Sequence, residues 1–271
     1  MNSPSPDPHV LDMLKGGLIV SCQARANSPM RALRTIVALA ECAELGGAAG
    51  VRVDGARNIA AVAKAISLPI VGIHKVVVNG ITLITPTLDD LPTLVDAGAS
   101  VVAIELTRRA HPEESDYVEV LTQVEQQWAN RGLTLMADIS SLEEGMAALR
   151  CGTDLVGTTL AGFTAYTQSA VLPEIHLVEQ LAKNGARVVA EGGYGRPEEV
   201  RKAIDRGAWS VCVGAAITDP IEITRHFARA VAGLAQSAGK GGGASGKGVV
   251  RPGFDNGQAQ ERQRTKKKKG E

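Results

Sequence analysis

The chain alternates short apolar runs with segments of amphipathic helical pattern, and a polar or charged side chain closes most of the runs. Runs of this length fit buried strands, and the helical segments between them fit crossover connections. Eight strand–helix units in roughly 220 residues predict a (β/α)8 barrel, the TIM barrel of the α/β class. The strands are expected at residues 17–22, 50–53, 69–74, 101–105, 133–138, 154–157, 187–191 and 210–214.

Several predicted helices end at a glycine directly before the next strand, as at Gly98, Gly152, Gly185 and Gly207. Glycine fits this position because the residue that ends a helix often takes a positive φ, which is costly for other residues. A doubly wound open sheet is the alternative, but such sheets usually carry a glycine-rich phosphate loop after the first strand. Ser21-Cys22-Gln23-Ala24 stands there instead, which favours the closed barrel.

Composition divides the chain into three parts: a flexible N-terminus (1–13), the catalytic barrel (14–235) and a disordered, basic, Gly/Lys-rich tail (236–271). The tail holds nine Lys or Arg and three Asp or Glu, a net +6, and we expect it to solubilise the protein without a dedicated nucleic-acid partner. Neither a signal-peptide core nor a run long enough to span a membrane is found. The four cysteines form no CxxC and the histidines have no metal-ligand spacing, which predicts a cytoplasmic protein without a metal.

Two strand-end side chains are candidates for catalysis, Lys75 after the third predicted strand and Glu191 at the end of the seventh. The carboxyl ends of barrel strands converge on the face that carries the active site. Burial there lowers the pKa of a lysine, so Lys75 could act as a base or as a Schiff-base nucleophile. A carboxylate at Glu191 could keep Lys75 charged, orient it, or serve as a second acid or base.

Four further strand-end side chains are candidates for substrate binding: Gln23, Arg52, Glu105 and Asp138. The guanidinium of Arg52 can bind an anionic or carbonyl oxygen, or neutralise the carboxylates around it. Gln23 offers a neutral donor and acceptor for a hydroxyl or an amide. Glu105 is followed closely by Arg109 and could pair with it instead.

The loops after the seventh and eighth predicted strands consist of small residues, with Gly192 and Gly193 in the first and Gly214 and Ala215 in the second. In TIM barrels these two loops are the usual phosphate site, where backbone N–H groups receive the anion. Small residues let the backbone approach a phosphate closely. We therefore expect these four residues to bind a phosphate group through their main chain.

Seven motifs follow one another along the chain: Gly17-Leu18-Ile19-Val20-Ser21-Cys22-Gln23-Ala24, Gly50-Val51-Arg52, Pro69-Ile70-Val71-Gly72-Ile73-His74-Lys75, Ile84-Thr85-Pro86-Thr87, Met136-Ala137-Asp138-Ile139-Ser140, Val156-Gly157-Thr158-Thr159-Leu160 and Ala190-Glu191-Gly192. In this order, the motifs resemble the N-acetylmannosamine-6-phosphate 2-epimerase family. The resemblance covers about residues 14–235, and the combination is more specific than any one motif.

The resemblance implies a TIM barrel that interconverts N-acetylmannosamine 6-phosphate and N-acetylglucosamine 6-phosphate in sialic-acid catabolism, without a cofactor. By position it implies that Lys75 is the acid/base, Glu191 its carboxylate partner, and Arg52, Asp138 and Gln23 residues that line the sugar. The hydrogen on C2 becomes acidic only when an open-chain aldehyde at C1 can take up the charge as an enolate. A desolvated base and donors aimed at the developing oxyanion meet that need.

Three positions depart from the pattern of the family: Glu105 stands where aspartate is usual, Gly193 where a basic or amide residue is common, and Asp219 where arginine is usual. An anion beside a phosphate is unfavourable by on the order of 1 kcal/mol, although Asp219 could cap the last helix. Two alternatives to epimerisation stay open, a Schiff-base aldolase or lyase with Lys75 as nucleophile and a sugar-phosphate-binding regulator without turnover. The expected ligand is an amino-sugar phosphate and the expected assembly a homodimer.

Overall fold

Ten strands are found in the computed structural model, which describes residues 8–111 and 133–237 together with residues 119 and 122. In chain order they are β1 (Leu18–Ser21), β2 (Gly50–Asp54), β3 (Ile70–Ile73), β4 (Lys75–Val78), β5 (Ile81–Ile84), β6 (Val101–Glu105), β7 (Thr134–Asp138), β8 (Leu155–Gly157), β9 (Val188–Glu191) and β10 (Ser210–Val213). Eight of them pair in parallel and close into a barrel in the order β1-β10-β9-β8-β7-β6-β3-β2, while β4 and β5 form a separate antiparallel hairpin. The predicted TIM barrel is confirmed, and all eight predicted strands are present.

Helices fill the intervals between the barrel strands wherever the structure describes them. They are α1 (Pro8–Leu14), α2 (Leu33–Leu45), α3 (Ala56–Val62), α4 (Leu91–Asp96), α5 (Leu142–Arg150), α6 (Ile175–Lys183), α7 (Pro197–Asp205), α8 (Ala215–Thr218) and α9 (Pro220–Ser237). Just after α5 and α6, Gly152 and Gly185 have φ of +88° and +87°, as their predicted role requires. Within the described ranges, no helix is long and apolar enough to cross a membrane.

Two apolar clusters hold the barrel together. The larger cluster lies between the strands and the surrounding helices, with Val51, Val102, Ala137 and Leu181 among its members. The smaller one fills the barrel interior with alternate residues of every barrel strand except β2: Ile19, Val71, Val101, Ala103, Met136, Leu155, Val189 and Cys212. Since side chains alternate between the two faces of a strand, the inward positions beyond this cluster carry the polar side chains of the site.

The helix α1 packs against the interior cluster through Val10, Leu11 and Leu14. The prediction that residues 1–13 are flexible is therefore wrong over residues 8–13, because this short apolar face is buried. A Cβ on Gly50 would lie 2.7 Å from Leu14 Cδ2, so the glycine makes room for the leucine. At the other end of the chain, α9 runs to Ser237, so the first two residues of the predicted tail (236–271) belong to this helix. Residues 238–271 lie outside the described residues.

The hairpin of β4 and β5 was not predicted. It turns at Asn79 and Gly80, both with positive φ (51° and 78°), and Asn-Gly between apolar runs is a strong hairpin signal. The prediction ended a strand beside Lys75, whereas β3 ends at Ile73 and Lys75 opens the hairpin. The lysine thus starts a new element that leaves the barrel wall.

Replacing Leu14 by alanine should destabilise the fold, because it removes a fully buried side chain (0% exposed) from the interior cluster. We expect the free energy of unfolding to fall by about 2–5 kcal/mol, measured by urea denaturation. Leu45→Ala is the matched control, since Leu45 is 89% exposed. Equal losses in the two variants would show that α1 contributes nothing to the stability of the core.

Candidate active site

The mouth of the barrel is organised around Arg52, whose side chain is 1% exposed. Its Nη1 and Nη2 donate to Asp138 Oδ1 and Oδ2 at 3.1 and 2.5 Å, a bidentate pair across the barrel. Nη1 also donates to Glu191 Oε2 at 2.8 Å. Burial opposes the charge of Arg52, but the two carboxylates overcome that effect and raise its pKa. Arg52 is therefore held as a cation between two acidic side chains.

A threonine that sequence analysis did not identify completes this group. Thr159 Oγ1 lies 2.6 Å from Asp138 Oδ1 and 3.2 Å from Glu191 Oε2, and its single proton serves the nearer oxygen. A Cβ on Gly157 would lie 2.2 Å from Met136 Cε, 2.9 Å from Asp138 Oδ1 and 3.0 Å from Thr159 Oγ1. The glycine that ends β8 thus leaves space for Met136 and for the two polar side chains. We call Arg52, Asp138, Thr159 and Glu191 the charged cluster.

Glu191 is fixed through its backbone as well as through Arg52. Thr158 Oγ1 donates to the main-chain O of Glu191 at 2.9 Å and accepts from its N–H at 3.0 Å. Burial raises the pKa of Glu191, with Asp138 acting in the same direction, although Arg52 opposes the shift. This carboxyl group can therefore gain and lose a proton nearer to neutral pH than an ordinary glutamate.

Lys75 lies beside the charged cluster, held at the base of the hairpin. Its N–H donates to Asp54 Oδ1 at 2.9 Å, and the N–H of His74 donates to Thr85 Oγ1 at 3.0 Å. Burial lowers the pKa of Lys75, and the positive charge of Arg52 lowers it further. The carboxylates of Asp54, Glu191 and Asp138 act in the opposite direction. The neutral amine, which is the basic form, is thus available at lower pH than in a solvated lysine.

Glu105 is completely buried, and its oxygens are taken up by the protein. They accept from Arg109 Nε at 2.5 Å, Thr107 Oγ1 at 2.7 Å and the N–H of Ile84 at 3.0 Å. Arg109 also donates to the main-chain O of Thr82 at 3.2 Å. The structure shows the pairing of Glu105 with Arg109, one of the two possibilities that the sequence offered, and the two side chains hold the hairpin that carries Lys75. A role of Glu105 as a substrate ligand stays a prediction.

Gln23 and Arg52 each have one buried side-chain atom without a hydrogen-bond partner among the described residues. Gln23 Nε2 donates to Ser21 Oγ at 2.9 Å. Gln23 Oε1 and Arg52 Nε are buried, and neither has a hydrogen-bond partner among the described residues. Because a buried polar atom without a partner is costly, these two positions are suited to an incoming polar ligand.

The two glycine loops lie next to each other at the mouth, because Cys212 on β10 pairs in register with Glu191 on β9. Gly192 and Gly193 have φ of +106° and +81°, and a Cβ on Gly193 would lie 2.6 Å from Leu172 Cβ. Backbone conformation and packing alone thus account for the glycine at 193. The place of Gly192, Gly193, Gly214 and Ala215 in a phosphate site stays a prediction.

Asp219 serves as the cap of α9, as the sequence suggested. Its Oδ1 accepts from the N–H groups of Ile221 and Glu222 at 3.1 and 3.3 Å. Its Oδ2 lies 3.4 Å from Arg25 Nε, and Arg25 Nη2 lies 3.1 Å from Glu222 Oε1. The negative charge at this end of the mouth is therefore matched by a cation from the loop after β1.

The structure also brings Asp54 into the site, although sequence analysis passed over it. The predicted second strand stopped at residue 53, one residue short. Asp54 follows Arg52 by two positions on β2, so the alternation of a strand places both on the same face. That spacing was the signal that could have found it. In the described part of the chain, no group of three or more His, Cys, Asp or Glu side chains could hold a metal ion.

The closed barrel and the titratable side chains at its mouth are those of a TIM-barrel enzyme. A family model described as "Putative N-acetylmannosamine-6-phosphate epimerase" (NanE) matches residues 36–233. The chain therefore belongs to the N-acetylmannosamine-6-phosphate epimerase family.

Individual relatives agree with this assignment. A "Putative N-acetylmannosamine-6-phosphate 2-epimerase" of Caldanaerobacter subterraneus subsp. tengcongensis is 39% identical over 80% of this chain and 92% of that protein. The "Bifunctional enzyme NanE/NanK" of Brucella melitensis biotype 1 is 40% identical over 84% of this chain and 43% of that protein. The solved structure of the N-acetylmannosamine-6-phosphate 2-epimerase from Clostridium perfringens matches with a TM-score of 0.74 and 35% identity, over 82% of this chain and 96% of that one.

Replacing Thr159 by valine should weaken the charged cluster, because the hydroxyl that donates to Asp138 is lost while the side-chain volume is kept. We expect a loss of about 1.5–3 kcal/mol in the free energy of unfolding, as for a hydrogen bond to a charged group. Thr134→Val is the matched control: Thr134 Oγ1 is equally buried but has no hydrogen-bond partner among the described residues. Urea denaturation of the two variants would contradict the role of Thr159 if their stabilities were the same.

Proposed function

We propose that this enzyme inverts C2 of N-acetylmannosamine 6-phosphate to give N-acetylglucosamine 6-phosphate, in amino-sugar and sialic-acid catabolism. Membership of the epimerase family supports the reaction. The observation that carries the proposal is the pair of oppositely shifted groups at the mouth: the pKa of Lys75 is lowered and that of Glu191 is raised. Two groups shifted toward each other in this way can exchange protons with a bound substrate closer to neutral pH than a solvated lysine and a solvated glutamate.

In the proposed step, the amine of Lys75 takes the proton from C2 of the open-chain sugar. The C2–H bond breaks, its electron pair forms a C1–C2 double bond, and the aldehyde oxygen becomes an enolate. Return of a proton to the opposite face of C2 restores the aldehyde with inverted configuration. Glu191, whose pKa is raised by burial, is the second acid–base group of this scheme.

The remaining side chains are assigned to binding. Arg52 Nε, which has no partner among the described residues, is proposed to donate a hydrogen bond to an oxygen of the sugar. Gln23 Oε1, which also has none, is proposed to accept one from a hydroxyl or an amide N–H of the sugar. Asp138 keeps the guanidinium of Arg52 in place. The phosphate is proposed to lie on the main chain of Gly192, Gly193, Gly214 and Ala215, with no cofactor or metal.

We further propose a homodimer that works in the cytoplasm, with no membrane or dedicated nucleic-acid partner. The exposed apolar side chains Phe227 and Val231 on α9, 68% and 69% exposed, support association through this helix, because such side chains favour an interface. Four free cysteine thiols are usual in a reducing compartment. Sedimentation velocity measures the assembly directly.

Lys75→Met should abolish epimerisation while the fold stays intact, because it removes the base and keeps an apolar side chain of similar length. In deuterated water, the wild-type enzyme should place deuterium at C2 of the product, followed by NMR. The variant should lose turnover and exchange by about 10²–10⁴-fold, the usual contribution of a general base. Lys183→Met is the control, since Lys183 is exposed and its ion pair within the described residues is with Glu179 on its own helix.

The outcomes of this experiment separate the alternatives. Substantial exchange in Lys75→Met would move the role of base to another group. Borohydride trapping of a substrate adduct on Lys75 would favour an aldolase or lyase. No turnover and no exchange in the wild type, with either sugar phosphate, would favour a regulator.

Asp219→Asn should improve the binding of the phosphorylated sugar, because asparagine keeps the helix cap and removes a negative charge near the proposed phosphate site. We expect the KM for the phosphosugar to fall by up to about fivefold, corresponding to about 1 kcal/mol of electrostatic repulsion, with little change in kcat. Unphosphorylated N-acetylmannosamine is the control substrate, and its KM should not change. A rise in the KM for the phosphosugar would place the phosphate elsewhere.

A further inference from the structure

Asp54 contacts the hairpin at the position where Lys75 begins. It ends β2 and pairs in register with Ile73, the last residue of β3. Its Oδ1 accepts the N–H of Lys75 at 2.9 Å, and its main-chain O accepts from Asn58 Nδ2 at 2.8 Å. The carboxylate therefore bridges the end of one barrel strand and the first residue of the hairpin.

Asp54 and Lys75 also line the same cavity. This cavity at the mouth of the barrel has a volume of about 240 Å³, and Gln23 and His74 line it as well. The charge of Asp54 and the amine of Lys75 thus share one partly enclosed space, where opposite charges interact more strongly than in bulk water.

Four charged side chains on the surrounding strands shift the pKa of Lys75 through their electrostatic interaction with the amine: Asp54 and Arg52 on β2, Asp138 on β7 and Glu191 on β9. Asp138 and Glu191 both bind the guanidinium of Arg52, so its single positive charge offsets part of their negative charge. Among these charges, Asp54 makes the largest contribution to keeping the proton on Lys75. It thereby opposes burial, which lowers the pKa of Lys75.

We propose that Asp54 is a positioning residue for Lys75, which fixes the base of the hairpin through the Lys75 N–H and sets the proton affinity of the amine through its charge. This inference rests on the proposed role of Lys75 as the acid–base group. Without the carboxylate, burial and Arg52 would act on Lys75 with less opposition. The amine would then lose its proton at lower pH.

Asp54→Asn tests the proposal, because the amide oxygen can still accept the Lys75 N–H while the charge is gone. The proton affinity of Lys75 is measured in the full-length protein without substrate, by competitive labelling with trace acetic anhydride across a pH series and mass spectrometry of the Lys75 peptide. We expect the labelling midpoint of Lys75 to move to lower pH by about 1–2 units, the usual effect of one neighbouring charge. The acid limb of the pH profile of kcat/KM should move in the same direction.

Three further variants make the result decisive. Asp54→Glu keeps the charge and should return the midpoint toward the wild-type value. Asp54→Ser removes the charge and serves if Asp54→Asn does not fold. Asp205→Asn, which removes an exposed carboxylate that pairs with Arg201 on α7, should leave the midpoint unchanged. An unchanged midpoint in a folded Asp54→Asn or Asp54→Ser protein would overturn the proposal.

Labelling also separates this inference from the proposed function. If the midpoint moves in Asp54→Asn but the wild-type enzyme shows no exchange at C2 of either sugar phosphate, the control of Lys75 by Asp54 stands and the proposed reaction fails. If the wild-type enzyme epimerises its substrate but the midpoint does not move, the proposed reaction stands and the role of Asp54 fails.

Discussion

The buried cation of Arg52 is the interaction on which the rest of the mouth depends. A guanidinium that is 1% exposed loses its hydration, and the bidentate contact with Asp138 and the contact with Glu191 compensate that loss. Removing one partner of such a pair typically costs about 3–5 kcal/mol, because an unpaired charge stays buried. The positions of Asp138, Thr159 and Glu191, and the absence of a side chain at Gly157, follow from the need to surround this one charge.

The position of Arg52 in turn determines what the neighbouring groups can do. Its charge lowers the pKa of Lys75 and opposes the rise that burial causes in Glu191. An ordinary lysine and an ordinary glutamate titrate about six pH units apart, and the environment moves these two toward each other. The hairpin completes this arrangement: Asp54, Thr85 and Glu105 each accept a backbone N–H near its base. These bonds fix the backbone at Lys75, although this residue lies outside the barrel wall.

The barrel, its strands and most of the charged residues at its mouth could be predicted from sequence, because they depend on local periodicity and on the rule that strand ends converge. Arg52, Asp138, Glu191 and Lys75 were found in this way. For Glu105, the sequence allowed two interpretations, a substrate-binding residue or a partner of Arg109. Spacing alone does not determine the direction in which a side chain points. Thr159 was missed because a threonine after a short strand has no distinctive signal until the fold places it between two carboxylates.

The end of the mouth near α9 shows how a charge that looks unfavourable in sequence can be accommodated in the fold. Both oxygens of Asp219 have partners within the protein. Oδ1 accepts from two backbone N–H groups, and Oδ2 contacts Arg25. A carboxylate engaged in this way presents less negative potential to a neighbouring anion than a free one does, because the helix dipole and the guanidinium oppose its charge. Arg25 also contacts Glu222, so removing the charge of Asp219 would leave the cation anchored at the same place. An acidic residue here is therefore compatible with an anionic ligand on the adjacent main-chain loops.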